Sequence, residues 1–251
     1  MNSLFSLEGE AALVTGADRG LGQAIAVALA SAGADIAAVG RSRPYDTKAK
    51  VEAHGRKFLW VEADLSTTEP IPRILRDAES AFGAVSILVN NAGIIRRADA
   101  IDFSEADWDA VLDTNLKSLF FLTQAVAKPM LGRGRGKIIH VASMTSFQGG
   151  IRIASYTAAK SGVAGLTRLL ANEWAAKGVN VNAIAPGYFA TDNTAALRAD
   201  EMRNRDILAR IPAMRWGEPD DLAGAAIFLA SRASDYVHGA ILPIDGGWLA
   251  R

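Results

Sequence analysis

The chain has 251 residues, half of them hydrophobic, with 27 Lys+Arg balanced by 27 Asp+Glu and no cysteine. One large core is within reach at that length, and the neutral balance without charge blocks argues against a nucleic-acid footprint or a polybasic membrane anchor. Disulfides and thiolate metal sites are excluded, which fits a cytoplasmic setting.

The opening MNSLFSLEGE has neither the basic stretch nor the continuous apolar run of a secretory leader. No apolar run approaches the ~18–20 residues that span a bilayer, so no membrane partner is expected. Seven short apolar runs read as strands: AALVT (11–15), DIAAV (35–39), KFLWVEA (57–63), VSILVN (85–90), KIIHVA (137–142), VNVNAIA (179–185) and AILPI (240–244). Between them, 20–32, 70–82, 104–130, 156–177 and 218–231 have helical composition. Such alternation predicts an α/β fold: one doubly wound domain over 1–251, a parallel sheet with helices on both faces. Pro243 predicts an edge strand or a bulge, because proline cannot donate to a central ladder. The least patterned stretch, 188–217, comes after a strand end and reads as a lid over a site.

TGADRGLG, from Thr15 to Gly22, succeeds the first strand and opens a helix. Gly16, Gly20 and Gly22 permit a tight turn and let backbone N–H groups, with Asp18, Arg19 and Leu21 between them, approach a pyrophosphate. Glycines also occur in such turns for steric reasons alone, but the strand–turn–helix context points to nucleotide binding. In dinucleotide folds an acid at the end of the second strand binds the ribose 2′-OH, whereas arginine accommodates a 2′-phosphate. Gly40 stands where that acid is expected, Arg41 is next to it, and Arg19 lies in the loop, so NADP is favoured over NAD. Asp64, before Leu65 at the end of the third strand, has two readings: an acceptor for the adenine amino group or a cap for the next segment of chain. VNNAG ends the fourth strand, and its Asn91, Ala92 and Gly93 suit a ligand-facing turn or simply a turn.

Tyr156 and Lys160, four residues apart in SYTAAK, share one face of a helix. A free phenol titrates near ~10, and a neighbouring ammonium is expected to lower it into acid/base range. Ser143, at the carboxyl end of the fifth strand, joins them. Asn115 sits inside a helical pattern that disfavours asparagine, which leaves a buried kink or a water-holding proton relay as its reason. The three histidines, 54, 140 and 238, are scattered without metal-ligand spacing, so no metal is expected.

TGADRGLG, NNAG, TNLKS, Ser143 with Tyr156-Thr-Ala-Ala-Lys160, and NAIAPGYFAT together resemble the short-chain dehydrogenase/reductases over essentially the whole chain. The resemblance implies a Rossmann-like domain with a seven-stranded sheet and Asn115, Ser143, Tyr156 and Lys160 as catalytic residues. It places Pro186, Gly187 and Thr191 near the nicotinamide carboxamide and Lys160 on the nicotinamide ribose. NNAGIIRR, SFQGGIR, NEWA, RIPAMRWG and DGGWLAR look most like its gluconate-type branch, which implies a sugar-acid substrate and a homotetramer. Those relatives are often NAD-linked, from which Gly40-Arg41 departs. A sugar acid needs a carboxylate partner. Arg96 and Arg152, the arginines nearest the chemistry in sequence, fill that role or make surface ion pairs, while Gln148 serves the hydroxyls. Rival readings are a 3-oxoacyl-thioester reductase, which also wants NADPH, and a non-catalytic NADP sensor, which has no need of all four catalytic residues.

Overall fold

The computed structural model describes residues 3–251. Seven strands, all parallel, form one sheet in the order β3-β2-β1-β4-β5-β6-β7. They are β1 (Ala11–Thr15), β2 (Asp35–Gly40), β3 (Phe58–Glu62), β4 (Ile87–Asn90), β5 (Gly136–Val141), β6 (Val179–Pro186) and β7 (Ile241–Ile244). The interior strands β1, β4 and β6 are buried at every residue, as strands covered on both faces must be.

The two-residue period of each strand feeds two cores. Ala12 and Val14 of β1 point to one face, where Ile25 and Leu29 of α1 (Gly20–Ser31) meet Leu229 of α9 (Ala223–Ala230). Leu13 points to the other, among Ile74 of α3 (Ile71–Phe82), Val126 of α5 (Ser118–Arg133) and Leu170 of α6 (Ala154–Trp174). Pro243 pairs with Ala185 on β7, the sheet's edge strand, where its missing N–H costs no ladder bond.

Three expectations are corrected in detail. A helix α2 (Tyr45–Ala53) crosses between β2 and β3, unrecognised because only Thr47 and Val51 are buried and no apolar stripe forms. The 104–130 pattern divides into α4 (Glu105–Leu112), a π-helical turn at Asp113–Lys117, and α5. The 188–217 stretch contains two short helices, α7 (Ala195–Ala199) and α8 (Glu201–Arg210). Among the described residues no helix is long and apolar enough to cross a membrane.

Candidate active site

β1 and β4 are neighbours from which the chain winds outward in opposite directions, and that switch point opens a crevice at the strands' carboxyl ends. The cleft there measures about 1110 Å³. Gly16, Asp18, Arg19, Gly20, Leu21, Gly22, Arg41, Asp64, Leu65, Asn91, Ala92, Gly93, Gly187 and Thr191 line it, with Ser143, Tyr156, Lys160, Gln148, Arg96 and Arg152. Pro186 ends β6 and is buried behind the wall, and Asn115 is fully buried.

Sterics set the glycine loop. Gly16 and Gly20 have φ of 65° and 54°, where a side chain is strained. A Cβ at Gly22 would lie 2.0 Å from the Gly16 carbonyl oxygen and 2.4 Å from Asn91 Nδ2. Asn91 Nδ2 donates to the carbonyls of Thr15 and Gly16, each at 3.0 Å. In return Thr15 Oγ1 accepts from the N–H groups of Asn91 at 3.0 Å and Ala92 at 2.9 Å. This reciprocal lock joins the two loops at the switch point, and Thr15 is a positioning residue that motif reading passed over. A loop opened by glycine at a helix N-terminus, in a cleft continuing past Arg41, fits a dinucleotide phosphate.

At the adenosine end, Asp64 Oδ1 accepts from the Ser66 N–H at 2.9 Å, so it serves as a cap. That bond, assisted by Arg41, holds its carboxyl below the usual range although burial opposes it. Arg19 lies between two acids, its Nε 3.9 Å from Asp18 and its Nη1 3.3 Å from Asp192, tying the glycine loop to the start of the 188–217 stretch.

At the other end, a 3-10 turn at Met144–Ser146 docks on α6 through Ser146 Oγ, which donates to the Lys160 carbonyl at 2.7 Å. Ser143 Oγ accepts from the Thr145 N–H at 3.2 Å, and its hydroxyl also meets Tyr156. Lys160 is buried, and its Nζ donates to the Val141 carbonyl at 2.5 Å while standing 5.6 Å from the Tyr156 ring centre. Burial draws the lysine down to about 8.

The expected effect of that lysine on the phenol is corrected. Burial pushes Tyr156 up, and the groups pulling against it are the Ser143 hydroxyl and the Arg97 guanidinium. The ammonium is held by the Val141 carbonyl.

Asn115 is satisfied within the protein. Its Oδ1 accepts from the Ile94 N–H and its Nδ2 donates to the Ile94 carbonyl, both at 2.8 Å, pinning the loop after β4 to the π turn. Both polar groups of its side chain are engaged in that clamp, and a π turn at a site wall is a frequent device.

Of the two arginines singled out for a carboxylate, Arg96 pairs with Asp107 at 3.1 Å and Arg152 with Asp99 at 3.0 Å. Sequence reading missed Arg97, Arg203 and Arg210, which also line the cleft. Trp216 packs within the 188–217 stretch, edge-on to Tyr188 with its Nε1 donating to Asn204, and Met202 is exposed. Among the described residues no group of three or more His, Asp or Glu side chains is placed to hold a metal ion.

A buried ammonium, a serine hydroxyl and a phenol at the end of a dinucleotide-shaped crevice are the equipment of an oxidoreductase acting on alcohols and ketones. The chain belongs to the short chain dehydrogenase family, whose sequence pattern matches residues 10–202. It is 59% identical to 2-dehydro-3-deoxy-D-gluconate 5-dehydrogenase of Escherichia coli over 99% of both chains. It is 60% identical, with a TM-score of 0.93 over 100% of both chains, to an Agrobacterium tumefaciens structure with bound NADP, a candidate 2-deoxy-D-gluconate 3-dehydrogenase. A candidate NAD(P)-dependent gluconate 5-dehydrogenase from Beutenbergia cavernae, also with bound NADP at low occupancy, is 48% identical with a TM-score of 0.95. It is covered over its full length by 99% of this chain.

Proposed function

We propose that this protein moves a hydride between NADP and a secondary alcohol or ketone of a gluconate-type sugar acid, with Tyr156 as the acid/base. The observation that carries the reading is the gathering of Ser143, Tyr156 and the buried Lys160 on one cleft wall, with the ammonium 5.6 Å from the phenol ring centre. Names borne by close relatives, 2-dehydro-3-deoxy-D-gluconate 5-dehydrogenase among them, support the substrate class.

The Gly16–Gly22 loop holds the pyrophosphate through its backbone N–H groups, and Arg41 takes the 2′-phosphate. Asn91, Ala92 and Gly93 floor the site, while Pro186, Gly187 and Thr191 border the nicotinamide end. When bound, the nicotinamide supplies hydride acceptance or donation. In the oxidising direction Tyr156, as phenolate, takes the substrate hydroxyl proton. Ser143 Oγ already accepts from the Thr145 N–H, which leaves its own hydrogen free to donate to the substrate oxygen or to Tyr156. Lys160 binds the nicotinamide ribose, an arrangement that requires its Nζ to share or leave Val141. Asn115 acts through the loop it holds. General acid–base participation accounts for ~10²–10⁴ in rate, with the remainder from placing the reacting atoms together.

The 188–217 stretch is the substrate lid: Tyr188, Leu197, Arg203 and Arg210 of it face the cleft. The protein works in the cytoplasm as a homotetramer. Half-exposed Trp108, Phe121 and Leu169 on α4, α5 and α6 support assembly through those helices, and analytical ultracentrifugation tests it.

Absorbance at the reduced-nicotinamide band, with NAD⁺ and NADP⁺ in parallel over gluconate-type acids and simple alcohols, tests the reaction. Turnover of such an acid is expected. Tyr156→Phe should cut it by roughly 10²–10⁴ with NADP affinity unchanged. Activity within a few-fold of wild type would remove Tyr156 from the chemistry.

A further inference from the structure

We propose that the substrate carboxylate is gripped from the lid, by Arg203 and Arg210 of α8 beside Trp248, and that this anchor sets selectivity for acids over neutral sugars. The inference rests on the sugar-acid reading above.

Arg96 and Arg152, the neighbours of the chemistry in sequence, already have their carboxylates in Asp107 and Asp99. Arg203 and Arg210 line the same cleft, and no ion pair to a carboxylate occupies either of them among the described residues. Both side chains are exposed, and the helix sets them at the rim of the cleft. Ile207 is buried in a cluster with Met144, Ile211 and Trp248, and Met144 is the residue directly after Ser143. Arg203 stands four residues before Ile207 and Arg210 three after it, so both share the face that packs against the site.

Their setting suits a planar anion. The Arg210 guanidinium carbon lies 4.0 Å from the centre of the Trp248 ring, which is itself 4% exposed. Stacking leaves the edge of the guanidinium fork free for two parallel bonds to a carboxylate. Tyr188 packs 4.8 Å from Trp248, giving the cations an aromatic wall on one side. Burial pushes the Tyr188 phenol up, and Arg210 and Arg203 both pull against it, which places the two charges around one ring. Asn204, next to Arg203, accepts from Trp216 Nε1 at 2.7 Å and steadies the helix from below.

The substrate itself dictates the division of labour. A six-carbon acid oxidised at C5 carries its carboxylate at the opposite end of the chain. Arg97 acts on the Tyr156 charge and so stands at the reacting end. The acid end then falls to α8, where binding a carboxylate also draws the lid onto the cleft, a closure that a neutral sugar cannot drive.

The test compares D-gluconate with neutral D-gluconamide on the full-length enzyme with NADP⁺, by kcat and KM and by calorimetric binding. Arg203→Met and Arg210→Met are each expected to lower kcat/KM for D-gluconate roughly 10–100-fold, mainly through KM. D-gluconamide and NADP⁺ binding should change less than about 2-fold, the range that a lost charge-assisted bond to another ligand leaves untouched. Arg210→Lys keeps the charge, recovers part of the loss, and serves if Arg210→Met fails to fold. Equal losses for acid and amide, or selective loss of D-gluconate only in Arg96→Ala or Arg152→Ala, would overturn the anchor. If wild type oxidises no sugar acid, calorimetry separates the two readings. D-gluconate binding that depends on Arg203 and Arg210 keeps the anchor and removes the reaction, and no such dependence removes the anchor.

Discussion

Replacing Asn115 by alanine separates a clamp from a proton relay. The amide makes two bonds of 2.8 Å to one residue, accepting from the Ile94 N–H and donating to its carbonyl, and Asn115 is 0% exposed. Each such bond contributes about 0.5–1.5 kcal/mol net, and more where the stranded partner cannot reach water. Ile94 is half-buried, so Asn115→Ala should cost about 2–3 kcal/mol in all. The loop it releases carries Gly93, where a Cβ would sit 3.2 Å from Asn115 Oδ1, and it floors the cofactor cleft. Urea denaturation should show a lower midpoint with unchanged slope, and NADP⁺ affinity should fall alongside. Asn115→Asp should not rescue, since a carboxylate can accept from the Ile94 N–H but opposes its carbonyl. A variant with wild-type stability and NADP⁺ affinity but collapsed turnover would refute the clamp and return the side chain to the chemistry.

Three other outcomes are expected. Arg41→Ala should weaken NADP⁺ roughly 10–100-fold and leave NAD⁺ nearly unchanged, as read by cofactor titration; equal weakening of both would discard the 2′-phosphate contact. Arg97→Met removes a cation that pulls Tyr156 down, so the ascending, acid-side limb of kcat/KM for oxidation should move to higher pH. A limb that stays put would mean that another group titrates there. His140, fully buried with Nδ1 3.0 Å from Thr167 Oγ1, is held down to about 3, first by burial and then by Lys160. Its unfolded value is 6.5, so between those values only the unfolded chain takes the proton and stability falls as pH drops below 6.5. Thr123 and Thr167 donate to their own helix carbonyls, which keeps them satisfied in His140→Leu. From pH 6.5 to 5 the wild type should lose about 2 kcal/mol more than this variant in urea unfolding, and parallel losses would count against a neutral buried imidazole.

The arginines illustrate what proximity along a chain hides. Arg96 and Arg152 flank the chemical motifs, yet their acids arrive from elsewhere, Asp107 in α4 and Asp99 in the loop before it. Arg203 and Arg210 lie far along the chain in a polar stretch that showed no pattern, and only the burial of Ile207 brings them to the rim of the cleft. Lys160 carries a similar lesson. Helical spacing rightly put it beside Tyr156, but the direction of its ammonium depended on a free strand-end carbonyl at Val141, which spacing cannot report.

By itself the sequence determined the parallel doubly wound sheet, because strands covered on both faces must be nearly all apolar, and that signal is local. It also determined the glycine turn and the Tyr156–Lys160 face, because both obey short-range steric and helical rules. The tertiary structure decided the rest: the α2 crossing, the π turn locked by Asn115 onto Ile94, the Thr15–Asn91 lock and the choice among arginines. Each depends on a partner brought from another element, and hydrogen bonds and ion pairs act over a few ångströms of space regardless of distance along the chain.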